Sequence, residues 1–117
     1  MTTYTKVLLS GSTNGKQIKV TATATPGTTI HTAVSGTVNL DEVWLYCNNT
    51  SDAIAKLTLE FGGTTDPDNL IEVDIPAQVG LVLVVPGLLL QNGLVLGAFG
   101  EAANILLISG FVNRITQ

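Results

Sequence analysis

Ser10-Gly-Ser-Thr-Asn-Gly-Lys-Gln17, running on into Ile18-Lys-Val-Thr-Ala-Thr-Ala-Thr25, is the stretch on which the fold class turns. Two glycines with three hydroxyl or amide residues between them, and a glycine-lysine pair, suggest a phosphate-binding loop. Such a loop needs four residues between its glycines, a hydroxyl residue after the lysine to meet magnesium, and a helix behind it. Here three residues separate Gly11 from Gly15, and Gln17 stands where the hydroxyl should be. The following segment alternates Thr with Val and Ala, a β-branched pattern that predicts a strand and not a helix. The segment therefore reads as a turn. Tyr4 to Ser10 runs up, Asn14-Gly15 supplies the positive φ, and Gln17 onward returns as the second strand of a hairpin.

Working outward, almost every other segment also reads as strand and turn. Asp41-Glu-Val-Trp-Leu-Tyr-Cys47 alternates, with Val43, Leu45 and Cys47 on one face and Trp44 and Tyr46 on the other. Ile54-Ala-Lys-Leu-Thr-Leu-Glu-Phe61 alternates more cleanly, with Leu57, Leu59 and Phe61 inward and Lys56, Thr58 and Glu60 on a wet face. Leu70-Ile-Glu-Val-Asp-Ile75 follows the loop Gly62–Asn69, exposes Glu72 and Asp74, and stops at Pro76. Leu81–Val85, Gly93–Phe99 and Ala103–Arg114 complete the set, with Gly110 expected to mark a bulge. Seven to nine short strands at this spacing predict an all-β fold, an antiparallel sandwich or barrel, forming a single domain over residues 1–117.

The apolar run from Val79 to Gly100 is long enough for a membrane span, but Pro86-Gly87 and Gln91-Asn-Gly93 are turn signals that split it. No Lys or Arg flanks it to set an orientation, so no membrane partner is expected. Its strands are apolar on both faces, and a sandwich would leave part of that surface uncovered. A second copy is the expected cover, with Leu81, Val82, Leu83, Val84, Val85, Leu88, Leu89 and Leu90 as the oligomer interface. The overall composition agrees. Only 12% of the 117 residues are charged while 45% are hydrophobic, so little repulsion keeps copies apart. A net charge of -4 with five basic residues gives no phosphate-neutralising surface, so nucleic acid is not expected as a partner.

Chemistry is sparse. Cys47 is the one cysteine, which precludes an internal disulfide, and the N-terminal residues lack a basic start followed by a long apolar run. Synthesis in a reducing cytoplasm is the expectation, and the sequons at Asn48 and Asn49 read as turn residues. His31, in Thr29-Ile-His-Thr-Ala33, is the one histidine and is expected on a strand or loop surface. A Ser–His–acid grouping stays open, but no nucleophile-elbow motif is present. A Cys–His zinc site lacks ligands. Asp66-Pro-Asp68 raises the question of calcium, yet the spacing is not that of a calcium loop. No enzyme activity, cofactor or metal is expected.

Three stretches carry a resemblance: Pro26-Gly-Thr-Thr-Ile-His-Thr-Ala33; Asp41-Glu-Val-Trp-Leu-Tyr46 with Asn49-Thr-Ser51; and Ile75-Pro-Ala-Gln-Val-Gly-Leu-Val-Leu-Val-Val-Pro-Gly-Leu88 leading to Asn92-Gly93. Together the chain resembles the decoration or cement proteins on the heads of tailed bacteriophages. The resemblance implies an antiparallel, jelly-roll-like β-sandwich of about eight strands that forms a trimer on the capsid surface and stabilises the shell through contacts with major capsid subunits. The virion is the implied location. The polar loops Asn48–Asp52 and Gly62–Asn69, or the arm Thr2–Lys6, would meet the capsid. The other reading is a β-sandwich module of a virion tip or fibre that binds a host receptor or carbohydrate, with Trp44 and Tyr46 as its aromatic platform.

Overall fold

In the computed structural model, which describes residues 1–117, the alternating segments become nine strands and no helix forms. The strands are β1 (Thr3–Leu8), β2 (Ile18–Lys19), β3 (Thr28–Thr32), β4 (Leu40–Asn49), β5 (Ala55–Phe61), β6 (Leu70–Ile75), β7 (Val82–Leu90), β8 (Val95–Gly100) and β9 (Leu106–Thr116). They build two antiparallel sheets. One has the order β1-β9-β4-β7, with β2 also paired to β9; the other has the order β3-β8-β5-β6. A sandwich of two antiparallel sheets was expected and is present, with one very short strand beyond the expected eight.

The alternation in β4 explains the layering. Asp41, Val43, Leu45, Cys47 and Asn49 are buried, and the residues between them are half-buried on the opposite face. From the facing sheet, Leu57 and Leu59 of β5 and Leu96 and Ala98 of β8 join them, with Leu106, Ile108 and Val112 of β9. Each buried Leu, Ile or Val contributes about 1.5–3 kcal/mol, so this interior layer dominates the attraction between the sheets. No helix is long and apolar enough to cross a membrane.

The structure corrects the hairpin. β1 and β2 do not pair with each other; both lie along the same side of β9, with Leu8 opposite Phe111 and Ile18 opposite Ile108. Asn14 and Gly15 do take positive φ, but they close a loop excursion between two collinear strand pieces. Beyond Lys19 the expected strand gives way to irregular chain. Paired to β9 in this way, the chain buries Leu9, Ile18 and Val20, and that apolar burial favours the arrangement.

β7 corrects a second expectation. Pro86-Gly87 does not break the strand, which is continuous from Val82 to Leu90. It lies at a sheet edge, where the missing N–H of Pro86 costs no ladder bond. The register slips twice against β4, skipping Gly87 and then Val84. The slip at Val84 turns that side chain inward beside Val85, so both are buried, while Leu88 and Leu89, on opposite faces of the edge strand, are both exposed. Gly110, by contrast, is no bulge: the β4–β9 ladder runs through it without a shift.

The wet face of β5 is also corrected. Lys56 is exposed, but Thr58 and Glu60 are 4% and 3% exposed. The segment between β2 and β3 is tied to this side of the sheet, with the Thr25 hydroxyl and the Gly27 N–H both donating to the Glu60 carboxylate.

Candidate functional site

The residues singled out in the sequence gather in a buried polar cluster and on the outer face of the five-stranded sheet.

The polar cluster contains His31, which is 1% exposed and not on the surface as its threonine neighbours suggested. A register shift between Thr29 and His31 points two consecutive side chains, Ile30 and His31, inward. His31 Nε2 lies 2.8 Å from Asp41 Oδ2. Its Nδ1 accepts the Ser10 backbone N–H at 3.0 Å, so Nε2 carries the proton and donates to Asp41. Asp41, fully buried, also receives Arg114 Nε and Nη2 at 2.8 and 3.0 Å and the Val34 N–H at 3.0 Å. Burial pushes the Asp41 carboxyl up, but the bonds from Arg114, His31 and Val34 outweigh it and hold the group below its ordinary value. The same contact raises Arg114.

Ser10, His31 and Asp41 are the residue types of a nucleophilic triad, and the geometry denies them that use. Ser10 meets the imidazole through its backbone N–H, while its hydroxyl oxygen accepts the Thr32 N–H at 2.7 Å. The ring nitrogen that would take a nucleophile's proton is occupied, and the imidazole and the Asp41 carboxylate are closed to solvent. The cluster is a clamp joining the Ser10 loop, β3, β4 and β9. Nothing local in the sequence announces it, because its members are 21, 10 and 73 residues apart.

The outer face of the five-stranded sheet is the second place. Cross-strand register aligns Leu8, Phe111, Trp44 and Pro86 in one row. Next to it runs the row Ser109, Tyr46 and Leu83, and at the far end the row Tyr4, Ile115 and Leu40. Trp44 stacks on Phe111 with ring centroids 6.3 Å apart, and Lys6 Nζ sits 4.3 Å above the Phe111 ring. A single polar row, Lys6, Asn113 and Glu42 with Leu89 at its end, crosses this apolar field. Its groups satisfy one another: Asn113 Nδ2 and Trp44 Nε1 each donate to Glu42 Oε1 at 2.9 Å. Those two bonds, with a smaller pull from Lys6 and against slight burial, hold Glu42 below its ordinary value.

β7 forms the edge of this face, and it divides the expected interface residues. Leu81, Leu83, Leu88 and Leu89 are 41–59% exposed, and Val82 is half-buried. Val84, Val85 and Leu90 belong to the chain's own core, which corrects their assignment to an oligomer interface. Trp44 and Tyr46 share the outer face as expected, but both are half-buried. Thr3–Lys6 is not a free arm; it is paired strand. At Asp66 and Asp68 no group of three or more metal-ligating side chains converges.

No protein-family profile, no curated protein and no solved structure matches this chain.

Proposed function

We propose that this chain is a virion structural protein: a capsid decoration, or cement, protein of a tailed bacteriophage that assembles as a trimer and stabilises the head through non-covalent contacts with major capsid subunits. The observation that carries this reading is the outer face of the five-stranded sheet. Tyr4, Leu8, Leu83 and Leu89 are each 46–72% exposed on that face, around the Trp44–Phe111 stack. Monomers rarely leave so much apolar surface contiguous and uncovered. Within the polar row that crosses this face, Glu42, Asn113 and Trp44 already bond one another, so covering these three leaves none of them without a partner.

The strand order supports a jelly-roll arrangement. The first strand lies beside the last, and successive strands from β2 onward pass from sheet to sheet, except at the β5–β6 hairpin. Double-sheet jelly rolls recur in viral capsid and lectin domains, an analogy of fold that suits the structural role. A trimer engages its shell at three points together, so weak single contacts add to a firm hold.

Light scattering tests the first half of the proposal: the expected mass in solution is three times the 12.2 kDa of the chain. Leu83→Asp with Leu89→Asp should reduce it to one chain, since each replaces an exposed apolar contact by a charge. Rebinding to bare capsids in a sedimentation assay tests the second half. A monomer that ignores capsids and is retained on a glycan array would instead favour the receptor-binding module.

A further inference from the structure

On the opposite sheet, cross-strand register places Thr29, Gly97, Glu60 and Leu70 in one row on the outer side. Because Gly97 has no side chain, the row is open above it, and a cleft of about 300 Å³ stands there. Glu60 forms one wall. Its Oε1 accepts the Gly27 N–H at 2.7 Å and its Oε2 the Thr25 hydroxyl at 2.5 Å.

The cleft is a one-sided electrostatic environment. Glu60 is 3% exposed and takes part in none of the chain's ion pairs, which join His31 and Arg114 to Asp41 and Lys56 to Glu72. No Lys, Arg or His lines the cleft. A carboxylate offers about four acceptor positions, and two of those on Glu60 are filled. The point where a Cβ on Gly97 would sit lies 3.2 Å from Glu60 Oε1 and 3.5 Å from the Thr28 carbonyl oxygen. A group seated there meets two acceptors together, and they are the two heavy atoms nearest to it. Asp66 lies in the adjoining hollow beyond Glu60 and adds to the negative potential. Buried carboxylates are ordinarily matched by a cation, and this one is matched only by a hydroxyl and an amide.

We propose that this cleft is a recognition site for a guanidinium or ammonium group, carried by an arginine or lysine side chain of a partner protein. Its volume lies at the lower limit for small-molecule pockets, and Val95 is the one large apolar residue among glycines and threonines on its walls. Such a space suits the tip of one side chain and is small for a larger free ligand. The site lies on the sheet opposite the apolar face, so it stands or falls separately from trimer assembly.

The test is an amide-resolved NMR titration of the whole chain with N-acetyl-arginine amide, with N-acetyl-citrulline amide as the uncharged probe of matching shape. Saturable shifts at Gly27, Gly63 and Gly97 are expected with the first and not with the second. Acetyl-Gly-Arg-Gly amide should bind at least as well; its exclusion would show a site for free small cations only and would overturn the partner assignment. Glu60→Gln, which can still accept from Gly27 and donate to Thr25, should weaken binding ~10-fold or more. Gly97→Ala places a methyl where the cation would sit and should do the same with Glu60 intact. Unchanged amide positions away from the cleft show that both variants fold. Absent saturation, equal shifts with the citrulline probe, or unchanged affinity in both variants would each overturn the proposal.

Discussion

Arg114 of β9 stands directly across from Asp41 of β4 and grips its carboxylate with two hydrogen bonds, Nε to Oδ1 at 2.8 Å and Nη2 to Oδ2 at 3.0 Å. Asp41 is wholly buried and Arg114 about one-third exposed. Arg114→Met leaves the carboxylate to His31 and Val34 alone. The expected loss is about 3 kcal/mol, the lower end for breaking a buried pair, because the arginine is partly solvated. Urea unfolding measures it. In a double-mutant cycle, adding Asp41→Asn should recover part of the loss; a cost below about 1 kcal/mol would put this pair among exposed ones.

Acid should expose the same clamp. Asp41 and Glu42 both have folded-state values below their ordinary ones, Asp41 despite its burial and Glu42 through the Asn113 and Trp44 bonds. As pH falls through the ordinary carboxylate range, about 3.9–4.3, the unfolded chain takes up protons that the folded chain refuses. Stability contributed by these groups is therefore full above that range. It declines as pH drops toward the lowered folded values. Unfolding free energy measured between pH 7 and 3 should be flat and then fall, and Asp41→Asn should reduce the acid slope by up to about 1.4 kcal/mol per pH unit. An unchanged slope would mean that Asp41 is not ionised in the folded chain.

Burial makes a third group silent. Cys47 lies fully buried in β4, and desolvation pushes its thiol up to about 12 against a weaker opposing bond from the Leu107 N–H. The thiolate is the reactive form, so a disulfide reagent at pH 8 should leave the native chain unmodified for as long as it stays folded. Labelling in urea should be complete within the unfolding time. Rapid labelling without urea would show that the space between β4 and β9 opens readily.

What the sequence discloses and what it hides follow from the range of the forces involved. Alternation is local, so the interior faces of β4, β5 and β6 were readable from Val43, Leu45, Leu57, Leu59 and Ile75. The Asn14-Gly15 turn was also readable, but its strands find their partner in β9, almost a hundred residues away, and no turn residue encodes that choice. Bulges undo alternation: the one at Val84 in β7 buries it together with Val85, and one in β3 turns His31 inward. Glu60 looked solvent-facing because its cover, Thr25 and Gly27, comes from a segment with no regular structure of its own. The apolar outer face was half visible, in Leu83 and Leu89, but its centre at Phe111 and Trp44 needs the β4–β9 register to be seen.

That register also sets the most severe substitution. A Cβ added to Gly110 would stand 2.0 Å from the Trp44 carbonyl oxygen and 3.1 Å from Leu45 Cα, both backbone atoms of the central strand β4. Backbone cannot swing aside as a flexible side-chain tip can, and the φ of +151° at this position is itself unfavourable for an L-residue. Gly110→Ala must therefore push β9 off β4 at the middle of the sheet, loosening the Trp44–Phe111 stack on one side and Leu45 packing on the other. The expected loss exceeds about 4 kcal/mol, at the extreme of single substitutions. Gly36→Ala is the internal control, since it shares a positive φ of 78° but has nothing within 4 Å, and strain alone should cost about 1–2 kcal/mol. Thermal unfolding followed by the near-ultraviolet signal of Trp44 compares the two. Equal, small losses would mean that β4 and β9 have slack between them, and the outer face built on their register would lose its rigid footing.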